Sequence, residues 1–243
     1  MADLLCGKKV LGMCRARLSP YTGNCSYNPG DNAWVLNAFT ELSYEVEREE
    51  ANEILERDLS NDFCSNFLQP GSDKYLTVSA RFCGFLGDAF TDFTGWTKYL
   101  RSGDSAGMGR PLASTSASSF CAAGGFKKWT LEIWSRIQDS SGFCTSSAGD
   151  GFIRLTFPML LDIAVGGVEF ANDATVSFSV TAKAYGNVGY GNGPFNDFDL
   201  TGGMAAGDGE TWTVENSEFT LPSASCTPVV IPAQTPVESG SGA

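Results

Sequence analysis

The sequence predicts a mainly β, antiparallel domain with one short flanking helix and long loops. Several runs alternate apolar and polar residues with period two, and clusters of Gly, Asn, Asp or Ser bound them, as is typical of half-buried antiparallel strands. Residues 86–100 instead space their large apolar side chains three and four apart, as an amphipathic helix does. The chain has 243 residues, 42% of them apolar, which is enough for one sizeable core.

The first clear strand is strongly acidic. Over residues 41–49, three apolar side chains alternate with a serine and four glutamates: Leu42, Tyr44 and Val46 against Glu41, Ser43, Glu45, Glu47 and Glu49. Because successive side chains of a strand point to opposite faces, we expect one buried face and one negatively charged face. The acidic run continues with Glu50, Glu53, Glu56 and Asp58, against Arg48 and Arg57. A helix over residues 47–59 and a solvated outward hairpin are the alternatives, and the alternation favours strands.

Further strands follow the same pattern. We predict them at residues 75–83, 126–137, 153–163 and 174–185, with a final strand pair within residues 212–221. Pro158 cannot donate a hydrogen bond to a neighbouring strand, so it predicts either an edge strand or a β-bulge.

The segments between these strands are rich in small and polar residues. Residues 101–125 are rich in Ser, Gly and Ala, residues 185–209 in Gly and Asn, and residues 222–243 in Pro. We expect one domain over residues 1–222 with an N-terminal arm of about 32 residues. Residues 223–243 should form an extended tail that is mobile in the isolated subunit.

Charge and composition exclude several classes of function. The formal net charge is −12, whereas nucleic-acid affinity comes mainly from Lys and Arg. The chain has no histidine, and its eight cysteines are dilute and lack zinc-finger or redox spacing, so we expect no metal, no cofactor and mostly buried thiols. Neither a signal peptide nor a membrane span is evident, which predicts a soluble protein made in a cytoplasm.

Catalytic and sugar-binding alternatives have weak support. Without histidine, Ser-His and Cys-His nucleophilic pairs cannot form, and we expect no catalytic residues. Paired carboxylates could still serve a glycosidase, and the nearest pairs are Asp197 with Asp199 and Asp208 with Glu210. A carbohydrate-binding β-sandwich is a further alternative, in which exposed aromatics such as Trp212, Tyr190 and Phe195 would form a flat platform.

An ordered series of motifs is more specific than any one of them. These are WTLEIW at residues 129–134, GFIRLTFP at 151–158, FANDATVSF at 170–178, then Asn187, GNGP at 191–194 and Asp197. Upstream lie an acidic strand pair, Cys64, and a strand that ends at Cys83 before a short helical segment. Over roughly residues 36–199, this series resembles the major tail tube proteins of long-tailed (siphovirus-type) bacteriophages, especially those that infect actinobacteria.

The resemblance implies a structural virion protein and not an enzyme. In that family the subunit is a β-sandwich or barrel of the tail-tube type with a flanking helix. Six copies form a ring, and rings stack into the tube that conducts genomic DNA from capsid to host. The implied partners are further copies of the chain and the tape-measure, terminator and distal tail proteins, with assembly in the bacterial cytoplasm and a final location in the virion tail. DNA would pass without specific binding, and no membrane insertion is implied. Another tail or connector protein of the same fold is an alternative.

Two sets of residues follow as predicted sites. We expect the DNA conduit to be lined by the acidic residues Glu41, Glu45, Glu47, Glu49, Glu53, Glu56 and Asp58. Residues 101–125 and the termini are hypothesised to bridge neighbouring rings. The contacts expected between subunits or rings are Ser114, Ser116, Ser118, Pro194 and Phe195.

Overall fold

The computed structural model describes most of the chain. The described residues are 9–21, 27–37, 39–57, 63–83, 87–95, 97–100, 106–109, 128–138, 151–169, 177–187, 189–198, 204, 207–215, 218–225 and 227–234. Thirteen strands and one helix lie in these ranges. They are β1 (Lys9–Tyr21), β2 (Asn32–Leu36), β3 (Phe39–Arg48), β4 (Asn52–Arg57), β5 (Phe63–Gln69), β6 (Asp73–Cys83), α1 (Gly87–Thr94), β7 (Thr97–Leu100), β8 (Ala106–Gly109), β9 (Lys128–Gln138), β10 (Phe152–Glu169), β11 (Ser177–Tyr185), β12 (Thr211–Val214) and β13 (Val229–Val230).

A nine-stranded antiparallel sheet organises the fold, which confirms the mainly β prediction. The strand order is β13-β2-β1-β9-β10-β11-β6-β3, and β12 pairs with the first half of β10. The end strands β13 and β3 do not pair with each other, so the sheet is open. Two separate hairpins, β4-β5 and β7-β8, complete the described strands.

The main core lies on one face of this sheet, which we call the inner face. Alternate residues of β1, β2, β6, β9, β10 and β11 meet there with α1. The Phe90 ring lies 4.6 Å from that of Phe178, and the Phe93 ring lies 5.6 Å from that of Trp129. Trp34 donates a hydrogen bond from Nε1 to Asp92 on α1 at 3.2 Å. The helix therefore packs on the inner face through aromatic contacts.

The opposite, outer face is only partly covered. Over β2, β1, β9 and β10 it is buried beneath turns and the chain after β12, which contribute to a second apolar cluster. That cluster contains Tyr27, Ala33, Met159, Leu161, Tyr190, Phe198, Met204 and Ile231. Over β11, β6 and β3 the outer face carries exposed or half-buried polar side chains. One sheet thus has a covered half and an uncovered half on the same face.

Strand positions largely follow the sequence pattern. In β11 the apolar residues Phe178, Val180, Ala182 and Ala184 are buried, while the intervening residues are exposed or half-buried. The helix alternative for residues 47–59 is wrong, because β3 and β4 occupy the described part of that segment. Pro158 lies at a break between Phe157 and Leu160 in the pairing of β10 with β9, which confirms the β-bulge and not the edge strand.

Two expectations need correction, and the segments predicted as an N-terminal arm and a C-terminal tail both contribute strands to the sheet. The helix ends at Thr94, and residues 97–100 form β7 instead of continuing it. Residues 9–21 form an internal strand between β2 and β9, so this part of the predicted arm belongs to the sheet. Within the described part of residues 212–221 there is one strand, β12, and not a pair. The tail from residue 227 to 234 packs on the domain: β13 pairs with β2, and Ile231 is 1% exposed.

Candidate functional site

The uncovered half of the outer face is a continuous polar surface, which we call the polar face. Strand register aligns its side chains in rows, such as Glu41 with Arg81 and Ser179, and Glu45 with Thr77 and Lys183. Its members are Glu41, Ser43, Glu45 and Glu47 of β3, Tyr75, Thr77, Ser79 and Arg81 of β6, and Ser177, Ser179, Thr181 and Lys183 of β11. All are exposed or half-buried in the described chain.

The acidic strand has the alternation that the sequence predicts. Glu41, Glu45 and Glu47 are exposed, whereas Leu42 and Tyr44 pack against the main core. The Tyr44 ring lies 5.4 Å from the ring of Phe157. Alternation weakens at the end of the strand, where Val46 is 44% exposed. The polar face therefore carries three carboxylates on the strand at the end of the sheet.

The structure describes the remaining predicted conduit residues less completely. Glu49 is exposed just after β3, and its backbone N–H donates to the Ser72 carbonyl at 2.8 Å. Glu53 and Glu56 lie on β4, of which the structure describes the backbone. Asp58 lies outside the described residues. The structure thus joins Glu41, Glu45 and Glu47 on one surface and leaves the wider acidic patch as a prediction.

Strand β3 also has an open edge. It pairs with β6 on one side, and no described strand pairs with its other side. An unpaired edge presents free backbone donors and acceptors that can pair with another chain, and charged side chains help to prevent nonspecific pairing. The carboxylates and the open edge therefore lie on the same strand.

A buried ionic cluster lies under the covered half of the outer face. Arg17 of β1 lies directly opposite Glu132 of β9, and its Nε donates to Glu132 Oε2 at 2.6 Å. The two terminal nitrogens of Arg17 donate to the two carboxylate oxygens of Asp197, each at 2.9 Å. This bidentate geometry is the strong form of an arginine–carboxylate contact. It fastens the turn that contains Asp197 to the sheet.

Arg154 of β10 joins the same cluster from the other side. Its Nη1 donates to Glu132 Oε1 at 3.3 Å and to Asp197 Oδ1 at 3.1 Å, and its Nη2 donates to the Asp197 carbonyl at 2.8 Å. Its Nε donates to Glu215, which follows β12. Tyr190 Oη donates to Glu132 Oε1 at 3.1 Å. Each buried charge in this cluster therefore has an opposite charge in contact, as burial requires.

Aromatic rings enclose the two guanidinium groups. The centre of the Trp134 ring lies 5.0 Å from the Arg17 guanidinium carbon and 5.2 Å from that of Arg154. The centre of the Phe195 ring lies 4.2 Å from the Arg17 guanidinium carbon. Phe198 and Phe219 lie 5.6 Å and 5.5 Å from Arg154. Ring faces attract cations most strongly when water is excluded, so this enclosure strengthens the cluster.

The cluster changes the proton affinity of its members. Burial by itself lowers the pKa of Arg17, but Glu132 and Asp197 outweigh it and raise that pKa above its ordinary value. Burial alone would raise the pKa of Asp197, and contact with Arg17 and Arg154 lowers it below its ordinary value. Burial raises the pKa of Glu215. Burial, followed by Glu132, raises the pKa of Tyr190. Arg17, Arg154 and Asp197 are thereby held in their charged forms.

This geometry argues against a catalytic role for Asp197 and against the proposed aromatic platform, whereas Asp208 is exposed and Glu210 is half-buried just before β12. Asp197 holds two arginines, and Asp199 lies outside the described residues. Tyr190 is buried and Phe195 lies against Arg17, so neither forms an open platform with Trp212, which is 53% exposed. Tyr190 and Phe195 pack the ionic cluster instead.

The predicted contacts between subunits are only partly described. Pro194 is buried, and its carbonyl accepts a hydrogen bond from Gln234 Nε2 at 2.9 Å. Phe195 is half-buried within the chain. Ser114, Ser116 and Ser118 lie outside the described residues. Contacts of these residues with another subunit stay predictions.

Sequence reasoning missed the ionic cluster, although one signal was available. In β9, Thr130, Glu132, Trp134 and Arg136 occupy the positions that alternation assigns to solvent, yet all four are buried. A tryptophan among charged residues at such positions indicates that the polar side of the strand is covered. The partner Asp197 lies 180 residues from Arg17, too far for any local pattern to pair them.

Metal-ligand groups and long apolar helices are two features that the described ranges lack. They contain no group of three or more His, Cys, Asp or Glu side chains placed to hold a metal ion. Nor does any helix there have the length and apolar character to cross a membrane. Cys14 is a buried thiol whose Sγ donates a hydrogen bond to the Gly12 carbonyl at 3.8 Å. A comparison with protein-family models finds no match, and a comparison with curated proteins also finds none.

Proposed function

We propose that the chain is a tail tube subunit of a long-tailed bacteriophage, a structural protein whose hexameric rings stack into a DNA conduit. The observation that carries this proposal is the row of exposed carboxylates, Glu41, Glu45 and Glu47, on the outer face of β3. A surface of this kind repels a polyanion, because phosphate binding requires cations that displace counterions. The sequence resemblance to tail tube proteins supports the same role.

The open edge of β3 supports assembly. A ten-residue strand spans roughly 33 Å, which is long enough to form an extended ladder with a neighbouring subunit. Pairing around a ring would cover the exposed edge, and closed symmetry would limit the number of copies. We infer that the open sheet closes in this way across six subunits, with the polar face turned toward the central channel.

Charge on the polar face would act over a short range. Salt limits the field of exposed carboxylates to roughly 8 Å at physiological ionic strength. DNA in a narrow channel would stay within this range of the wall, whereas DNA in a wide channel would not. The carboxylates would therefore reduce adhesion of DNA to the wall without binding any sequence.

Electron microscopy tests assembly directly. Concentrated purified protein, viewed in negative stain, should form hollow filaments of uniform width. Discrete rings that do not elongate would indicate a connector protein of the same fold. Dispersed monomers at every concentration would contradict the tube proposal.

A charge-reversal series tests the direction of the polar face. In virions, replacing Glu41, Glu45 and Glu47 together with Lys should preserve tubes and slow DNA ejection, because phosphates would then bind the wall. The matched Gln variants should have a smaller effect, because they remove negative charge without adding positive charge. Ejection rates equal to wild type in the Lys variant would refute the inward orientation.

A further inference from the structure

We propose that Asp162 masks Lys183, so that the polar face offers no accessible cation to a polyanion at this position. This inference deepens the proposed function and rests on it for its biological meaning. Lys183 is the cation that β11 contributes to the polar face, in the same row as Glu45. An unpaired lysine there would bind phosphate and oppose the effect of the glutamates.

A β-bulge delivers the Asp162 carboxylate. Strand β10 places two residues, Asp162 and Ile163, where β11 has only Ala182 between its paired positions Lys183 and Thr181. Asp162 has a φ of +54°, in the left-handed region that Asp and Asn tolerate better than other side chains. A bulge re-aims the side chain of the extra residue. Asp162 is exposed and reaches the lysine of the neighbouring strand.

The resulting contact holds the lysine charge at the surface. Lys183 Nζ lies 2.7 Å from Asp162 Oδ2 and 5.4 Å from the centre of the Tyr75 ring. The Lys183 side chain is 39% exposed, so a phosphate could bind it if Asp162 did not hold the ammonium group. Its hydrogen bond to Asp162 raises the pKa of Lys183. The lysine is therefore charged at neutral pH, and its contact with Asp162 determines whether the ammonium group can bind a phosphate.

The ion pair between Asp162 and Lys183 contributes little to the folding stability of the chain. Ion pairs between exposed side chains contribute little to folding, because water screens them and both side chains lose freedom. A left-handed aspartate in a bulge adds a small conformational cost. The larger consequence of the pair is therefore for what the surface can bind.

Other cations on β3 and β6 also lie close to polar side chains of neighbouring residues. Arg48 Nε lies 2.8 Å from Asp73 Oδ1, and Lys74 Nζ lies 3.6 Å from Glu49 Oε1. Arg81 donates to Ser177 Oγ at 2.8 Å and lies across from Glu41. Lys183 thus follows the pattern of Arg48 and Lys74, each of which has a carboxylate oxygen within 4 Å.

Retention on a column of immobilised duplex DNA tests the masking. The full chain with Asp162→Asn should be retarded at low salt, while the wild type elutes with the void volume. Asn is tolerated in the left-handed region, so the bulge should persist. One lysine–phosphate contact gives a salt slope of about −0.9 on logarithmic axes, equivalent to a roughly 3- to 4-fold loss of retention between 50 and 200 mM salt.

Two control variants separate masking from net charge. Asp208→Asn changes the charge by the same amount at an exposed residue that makes no ion pair with any described residue, and it should elute like wild type. Asp162→Asn with Lys183→Gln should lose the retention. Wild-type elution of Asp162→Asn, equal retention of Asp208→Asn, or persistent retention of the double variant would each overturn the inference.

The column result is independent of tube formation. If the column retains the Asp162→Asn variant while the wild-type chain forms no tubes, the masking is supported and the conduit proposal is contradicted. Tubes without any retention of Asp162→Asn would leave the conduit and overturn masking.

Discussion

Replacing Glu132 with Gln should destabilise the protein more than any exposed substitution of the same kind. Glu132 is fully buried and accepts hydrogen bonds from Arg17 at 2.6 Å, Arg154 at 3.3 Å and Tyr190 at 3.1 Å. Gln keeps the shape but removes the negative charge between two buried guanidinium groups. Its amide nitrogen would also face a donor, because both Glu132 oxygens accept in the native structure.

The expected loss is large for a single substitution. Removing one partner from a buried ion pair typically costs about 3–5 kcal/mol, because it leaves the other charge uncompensated. For a chain of this size, about 1 kcal/mol corresponds to roughly 2–4 °C of Tm. The Glu132→Gln variant should therefore unfold at roughly 6–20 °C below wild type, if the transition is two-state.

Urea unfolding followed by tryptophan fluorescence measures this loss. Trp134 lies beside both guanidinium groups, so its emission should report on the cluster. The transition midpoint should fall while its slope m stays constant. Glu45→Gln, on the exposed polar face, is the matched control and should stay within about 0.5 kcal/mol of wild type. A loss below about 1 kcal/mol for Glu132→Gln would refute a stabilising role for the cluster.

Two further predictions concern the segments that cover the sheet. Arg17 and Arg154 lower the pKa of Asp197, so its stabilisation is complete above the ordinary value of 3.8 and is lost as pH falls through the lower folded value. The free-energy difference between wild type and Asp197→Asn should therefore shrink on acidification from about pH 6 to pH 2; a constant difference would contradict this sign. Ile231→Ala should cost about 2–5 kcal/mol and make residues 227–234 sensitive to protease. Val230→Ala, at a residue 59% exposed, is its control, and equal losses in thermal unfolding would show that the segment is not anchored through Ile231.

Much of the sheet was predictable because strand periodicity is local. The alternation at Glu41, Glu45 and Glu47 was sufficient to predict which side of β3 is exposed. The helix was predicted too long, because its apolar spacing continues past Gly95, which has a φ of +73° and follows the last helical residue. Pro158 predicted an edge strand or a bulge because its missing donor is a property of that residue alone, and the pairing of β10 on both sides selected the bulge.

The covering of the sheet was decided only by tertiary structure. Period two identifies two sides of a strand, and it cannot say whether a distant segment lies over the polar one. Arg17, Glu132, Arg154 and Asp197 come from four separate regions, and each by itself resembles an ordinary surface charge. Their pairing depends on strand order and on the path of the turn before Asp197. The sequence by itself therefore determined strands β3, β6, β9, β10 and β11 and the acidic surface of β3, but it did not predict β1, β2 or β13. Long-range packing determined which charged residues are buried, because burial depends on contacts between residues far apart in the chain.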